Sequence, residues 1–224
     1  MTELGEARST FYFESCGEIN TKKTIELAIE RAKLLGIKTM IVASETGLSA
    51  LKLAEMCTDT DVRIIVVTSP RGTKVEGTPI GDLRIGIENG SIRSKLLKEE
   101  VEIVQGTDPF FSIDAPLQEI GFPTTTYIIR RVFSLFGSGI GVGIVAAMMA
   151  TDAGVVPSGE DVVSLAGDWI GLSSAIVVET ANTRGFLKQG PVIKEIICKP
   201  RNPRYSWPDL VGWNGDLSPY EKFC

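Results

Sequence analysis

The stretch from Lys38 to Cys57, KTMIVASETGLSALKLAEMC, constrains the fold of this chain more than any other. Met40, Ile41, Val42 and Ala43 form a short apolar run suited to a strand buried on both faces. Leu48, Leu51, Leu53, Ala54 and Met56 then follow at helical spacing, with Ser44-Glu45-Thr46-Gly47 between the two patterns. A strand, a tight polar turn and a helix start in this order belong to a parallel sheet covered by helices. The junction directs backbone N–H groups and the positive helix end to one point, where the hydroxyls of Ser44, Thr46 and Ser49 add donors. An anion, a phosphate above all, fits there. Ser44 or Thr46 acting only as a helix cap is the competing reading, and spacing alone leaves both open.

The same pattern recurs along the chain. Thr10 to Glu14 is a short aromatic strand, and Asn20 precedes an amphipathic helix that Gly36 stops. Val62 to Thr68, VRIIVVT, is a second buried strand with a polar end at Thr68 and Ser69, so two strand ends point at one crevice. Pro70 to Gly90, rich in Gly and Pro, reads as a long loop of the kind that forms lids. A helix over Ser91 to Glu100 and a strand over Val101 to Val104 follow, then an irregular stretch from Asp108 to Pro123. Helical spacing resumes at Thr124, with Arg130 and Arg131 expected as solvated charges. Asp161 to Gly167 (DVVSLAG) is a strand ending in Ala166-Gly167-Asp168-Trp169. Ser174 to Thr180 and Val192 to Lys199 are strands with no helix between them, which predicts an antiparallel edge to a mostly parallel sheet. Residues 1–200 read as a single α/β domain. Residues 201–224 read as an aromatic, Pro-rich tail that wraps the surface or a neighbouring subunit.

Composition removes several classes of function. The 224 residues include no histidine, so imidazole-based triads and His-ligated metal sites are not expected. A net charge of -5 argues against a broad nucleic-acid or anionic-membrane surface. Cys16, Cys57, Cys198 and Cys224 lie far apart and read as free thiols. The first residues carry no signal-peptide pattern, so a cytoplasmic location is the expectation. Val132 to Thr151 holds no charge for 20 positions, long enough for a membrane span. Gly137-Ser138-Gly139 divides it into two helices, the second from Gly141 to Asp152, and the membrane reading is rejected. The glycines there do not meet the G-x-G-x-x-G spacing, and no Walker A sequence is present.

TMIVASETGLSALKLAE followed by VRIIVVTS resembles the C-terminal domain of pyruvate kinases, where such a turn cradles the phosphate of an allosteric sugar bisphosphate. From Tyr12 to about Arg201 the closer resemblance is to stand-alone, mainly archaeal proteins with a pyruvate kinase C-terminal domain-like fold. It is carried by NTKKTIELAIERAKLLGIK, IVASETG, ATDAGVVP, DVVSLAG and IKEIICKPR. The resemblance implies a three-layer α/β/α fold, a physiological reaction not established for the group, and flavin mononucleotide (FMN) held in the crevice. It carries Ser44, Glu45, Thr46, Gly47, Leu48 and Ser49 onto the phosphate turn, Thr68 onto the next strand end, Asp152 onto the acidic residue after the buried helix, and Gly167 onto the turn after DVVSLA. Phe110 to Pro123 and the tail depart from the pattern, and these residues hold no counterpart of the pyruvate kinase catalytic barrel, so kinase activity is not expected.

Trp169 is the candidate for stacking on a flavin ring, against packing as an ordinary loop aromatic. Asp152 either bonds ribityl hydroxyls or a ring N–H, or caps the Ala-Gly turn after it. Glu45, awkward beside a phosphate, is expected to turn toward solvent or a hydroxyl. Gly47→Asp is expected to weaken binding by intruding on the anion. Three readings stand: a flavoprotein, in which the cofactor carries redox chemistry; a non-enzymatic module that binds a phosphorylated metabolite; and a structural subunit with an empty crevice. Whether the chain is an enzyme is left open, and its apolar tail is compatible with homo-oligomers.

Overall fold

The computed structural model describes residues 5–202 except 79, 80, 123 and 169. Nine strands and six α-helices are seen among them. In chain order these are β1 (Phe11–Phe13), α1 (Thr21–Leu35), β2 (Thr39–Ala43), α2 (Leu48–Met56), β3 (Arg63–Thr68), β4 (Lys74–Thr78), β5 (Gly81–Arg84), α3 (Gly90–Lys98) and β6 (Glu102–Gln105). α4 (Asp114–Glu119), α5 (Thr125–Phe133), α6 (Ser138–Asp152), β7 (Asp161–Ala166), β8 (Ser174–Glu179) and β9 (Val192–Pro200) complete the set. Seven strands form one sheet in the order β1-β9-β8-β7-β2-β3-β6.

Alternation along each strand decides what each face of the sheet meets. Met40, Val42, Ile64, Val66, Val163 and Leu165 join one buried cluster with Ile25 and Ala28 of α1 and Ala50 and Leu53 of α2. Ile41, Ile65, Val67, Val162 and Ile176 join the other, with Ile144, Ala147 and Met148 of α6. Each central strand therefore serves two cores, as its apolar run suggested, and helices cover both faces, which makes the three-layer α/β/α arrangement that the resemblance implies. β2 is parallel to β3 and β7, and β3 to β6. β8 is antiparallel to both β7 and β9, while β1 closes the edge parallel to β9. The antiparallel strand thus lies inside the sheet rather than at its edge. The N-terminal segment, returning beside β9, becomes the edge instead.

Two stretches read as irregular hold structure. Pro70 to Gly90 contains the antiparallel β4–β5 hairpin, and its base is clamped: the Ile87 amide donates to Glu45 O at 2.9 Å, and Ile85 and Ile87 are buried. Asp108 to Pro123 contains α4. Asn20 occupies the N-cap position of α1 but its side chain makes no cap bond, donating instead to Ser15 O, because a single 3-10 turn leads into the helix. Gly36 ends α1 in the left-handed conformation, as read from the sequence.

The charge-free run from Val132 to Thr151 divides at Gly137, between α5 with its short 3-10 extension and α6. α6 starts at Ser138, one turn earlier than the sequence spacing gave. No helix among the described residues is long and apolar enough to cross a membrane. Gly139 and Gly143 let α6 lie close on the sheet: a Cβ at Gly139 would stand 2.6 Å from Ser174 Oγ, and the Ser164 hydroxyl donates to Gly143 O at 2.8 Å. Arg130 is not a solvated charge. It pairs with Asp108 at 3.2 Å, against the start of α6, and so closes the layer that α5 adds. The three described cysteines, Cys16, Cys57 and Cys198, are buried and form no disulfide, and desolvation pushes the Cys198 thiol up to about 12. The tail reading falls on residues 203–224, outside the described residues.

Candidate functional site: the strand-end crevice

Parallel strands carry their loops to a common end, and here β2, β3, β6 and β7 finish side by side. The β2–α2 turn stands at the centre. The Ser44 amide donates to Val67 O at 3.0 Å, prolonging the pairing with β3 by one residue. Ser44 Oγ then accepts from the Gly47 amide at 3.1 Å, and Thr46 Oγ1 accepts from the Leu48 amide at 3.4 Å. These bonds occupy two of the amides expected to face an anion, so the turn partly caps itself. Each hydroxyl oxygen that accepts an N–H keeps its own O–H to donate outward. α2 has glycine at its N-cap, with no side-chain cap bond from that residue, and Leu48 and Ser49 on its first turn are half-buried. Gly47 is buried with φ 87°, and its Cβ position points at Ile92, Leu96 and Ile87 rather than into the crevice. The reason given from sequence for Gly47→Asp is therefore corrected: that side chain would enter the α2–α3 packing.

Glu45 turns toward hydroxyls. Its carboxylate accepts from Thr68 Oγ1 at 2.9 Å, from the Ser69 amide at 3.1 Å and from Ser69 Oγ at 2.7 Å. Three donors at the end of β3 are filled by the chain's own anion. Thr68, 3% exposed, is committed to Glu45 and offers its hydroxyl proton to no ligand in this arrangement. The end of β6 is held likewise, since Gln105 donates to Gly86 O at 2.7 Å and accepts from Arg93 at 3.0 Å.

At the end of β7, next to the β2 turn, Gly167 is held by closeness alone: a Cβ there would stand 2.0 Å from Gly171 O. The turn folds back onto α1, where the Leu172 amide donates to Thr21 Oγ1 at 2.9 Å. Asp168, which sequence reasoning passed over, is the buried charge of this end. Burial pushes its carboxyl above the ordinary value, against hydrogen bonds from Ser173, from the Cys16 thiol and from the Gly139 and Ser138 amides. It thereby meets the N-terminus of α6, whose own N-cap, Gly137, supplies no side-chain bond. A carboxylate just past a buried strand, facing a helix that starts on glycine, was the available signal.

Asp152 does not join the site. A helix linking parallel strands runs against them, so the last residue of α6 lies at the opposite end of the sheet. There its carboxylate accepts from the Thr183 amide at 2.8 Å and from the Thr183 hydroxyl. It ties α6 to the segment after β8, which is neither of the roles read from sequence. Trp169 lies outside the described residues.

The fold and its crevice define a class: an open α/β domain covered on both faces, with polar turns gathered at the ends of its parallel strands. The family model for the pyruvate kinase alpha/beta domain matches residues 22–183, well over half of the chain. The chain belongs to that family. The match begins in α1 and stops after β8, so β9 and β1, which extend the sheet beyond β8, lie outside it.

Proposed function

We propose that the strand-end crevice binds a phosphorylated small molecule, FMN above all, with its phosphate on the Ser44–Ser49 turn. The observation that carries this reading is the α2 N-terminus: it opens beside the β3 end, and although Ser44 and Thr46 accept from the Gly47 and Leu48 amides, their hydroxyls keep a proton to donate, with Ser49 on the same first turn. Hydroxyl donors and a positive helix end suit a phosphate dianion. Glu45, fixed against Thr68 and Ser69, sets a negative charge beside the turn. One phosphoryl group is accommodated there more readily than the two of a bisphosphate. The resemblance to stand-alone archaeal-type proteins of this family favours the flavin. When bound, the isoalloxazine would supply redox chemistry, and no residue of this chain is assigned a proton-transfer role. Pyruvate kinase activity is not part of the proposal, and a cytoplasmic protein is the setting it assumes.

An absorption spectrum of the freshly purified protein, with mass analysis of what heat denaturation releases, tests the cofactor. Flavin bands and released FMN are expected. A colourless protein that releases nothing and is stabilised by sugar phosphates would replace the flavoprotein reading with that of a regulatory phosphometabolite module.

A further inference from the structure

α5 divides its apolar residues between two sides. Ile129 and Phe133 pack into the α6 core, whereas Ile128 and Val132, with Leu135 and Phe136 on the following turn, stand 56%, 48%, 79% and 55% exposed. Their positions recur at helical spacing and form one stripe. Ile120 and Phe122, just before the helix, are 68% and 64% exposed. The four side chains of the stripe alone leave on the order of 400 Å2 of apolar surface in water, the size at which an exposed patch commonly marks an interaction surface.

We propose that residues 203–224 of the same chain dock on this stripe. The register places the chain's exit close by: Cys198 of β9 pairs with Ala175, and Ala166 pairs with Ser174, so β9 finishes at the sheet end where α6 begins. That exit lies two strands from β7, about 10 Å away, and the turn carrying Leu135 and Phe136 immediately precedes α6. The remaining 22 residues reach up to ~70 Å, several times the distance required. Their composition fits the surface, with Tyr205, Trp207, Leu210, Val211, Trp213 and Phe223 spread among Pro and Gly. Aromatic side chains of this kind cover large areas at low cost in side-chain entropy.

Hydrogen exchange of the full chain, followed by mass spectrometry at low and high micromolar protein, tests the docking. Protection of α5 amides is expected to be independent of concentration. The double variant Trp207→Ala/Trp213→Ala should speed α5 exchange about tenfold or more while α1 exchange stays unchanged, the latter reporting an intact fold. Leu135→Asp should in turn speed exchange within 203–224. Unaltered α5 exchange in the double variant overturns the proposal. Protection that appears only at high concentration overturns it too, and assigns the stripe to a second copy of the chain.

Discussion

Gly167→Ala is expected to cost at least about 4 kcal/mol or to prevent folding altogether. The Cβ would lie 2.0 Å from Gly171 O and 3.2 Å from Leu172 Cα, both backbone atoms that no rotamer change can move aside. The turn cannot widen freely, because Leu172 bonds Thr21 and Thr24 at the start of α1, while Ser173 bonds Asp168. Relief would have to separate the end of β7 from α1 or uncover the Asp168 carboxylate, each with a loss of its own. Gly90→Ala provides the contrast. A Cβ there meets nothing within 4 Å on the first residue of α3, so stability should hold or rise by up to about 0.5–1 kcal/mol. Thermal melts of the two variants read the difference directly.

Gly47→Asp should destabilise by about 3 kcal/mol, through the fold rather than through any ligand. Its φ of 87° disfavours a side chain, and the Cβ would come within 2.7 Å of Ile92 Cγ2 and 3.1 Å of Leu96 Cδ1. A carboxylate among Ile87, Ile92 and Leu96 would have no partner of its own. Melting of this variant in the absence of ligand is the measurement. A melting temperature equal to the unsubstituted chain would show that α3 yields where this packing is tight.

Much of the fold was legible because two periods are visible in the chain. Runs such as TMIVA and RIIVVT supply both faces of a sheet, and α1 shows its amphipathic spacing between Asn20 and Gly36. The family match agrees with the resemblance of TMIVASETGLSALKLAE and VRIIVVTS to the C-terminal domain of pyruvate kinases. The hairpin β4–β5 was hidden because its strands are short and lack an apolar alternation. Arg130 was misjudged because its partner, Asp108, lies on an irregular segment that periodicity does not place. β8 lies inside the sheet because β9 pairs along its far side, and the three-residue β1 then closes the edge beyond β9, a contact between distant parts of the chain. Within the candidate site, the position of the β2–α2 turn was readable, but its bonding was not. Which donors Ser44, Thr46 and Glu45 would satisfy depends on the neighbouring end of β3. Asp152 was carried over by resemblance, although the direction of α6 relative to the strands already sets it at the far end.

The most direct test of the proposed site is a titration of FMN, followed by flavin fluorescence, on the unsubstituted chain and on Ser49→Glu. Glutamate on the first turn of α2 favours the helix end and should leave the melting temperature unchanged or slightly raised. It would repel a phosphate on the same turn. The account predicts saturable one-to-one binding that weakens about tenfold or more in the variant, worth about 1.4 kcal/mol per factor of ten. Equal affinity in the two proteins, at equal stability, would contradict the placement of the phosphate on the Ser44–Ser49 turn.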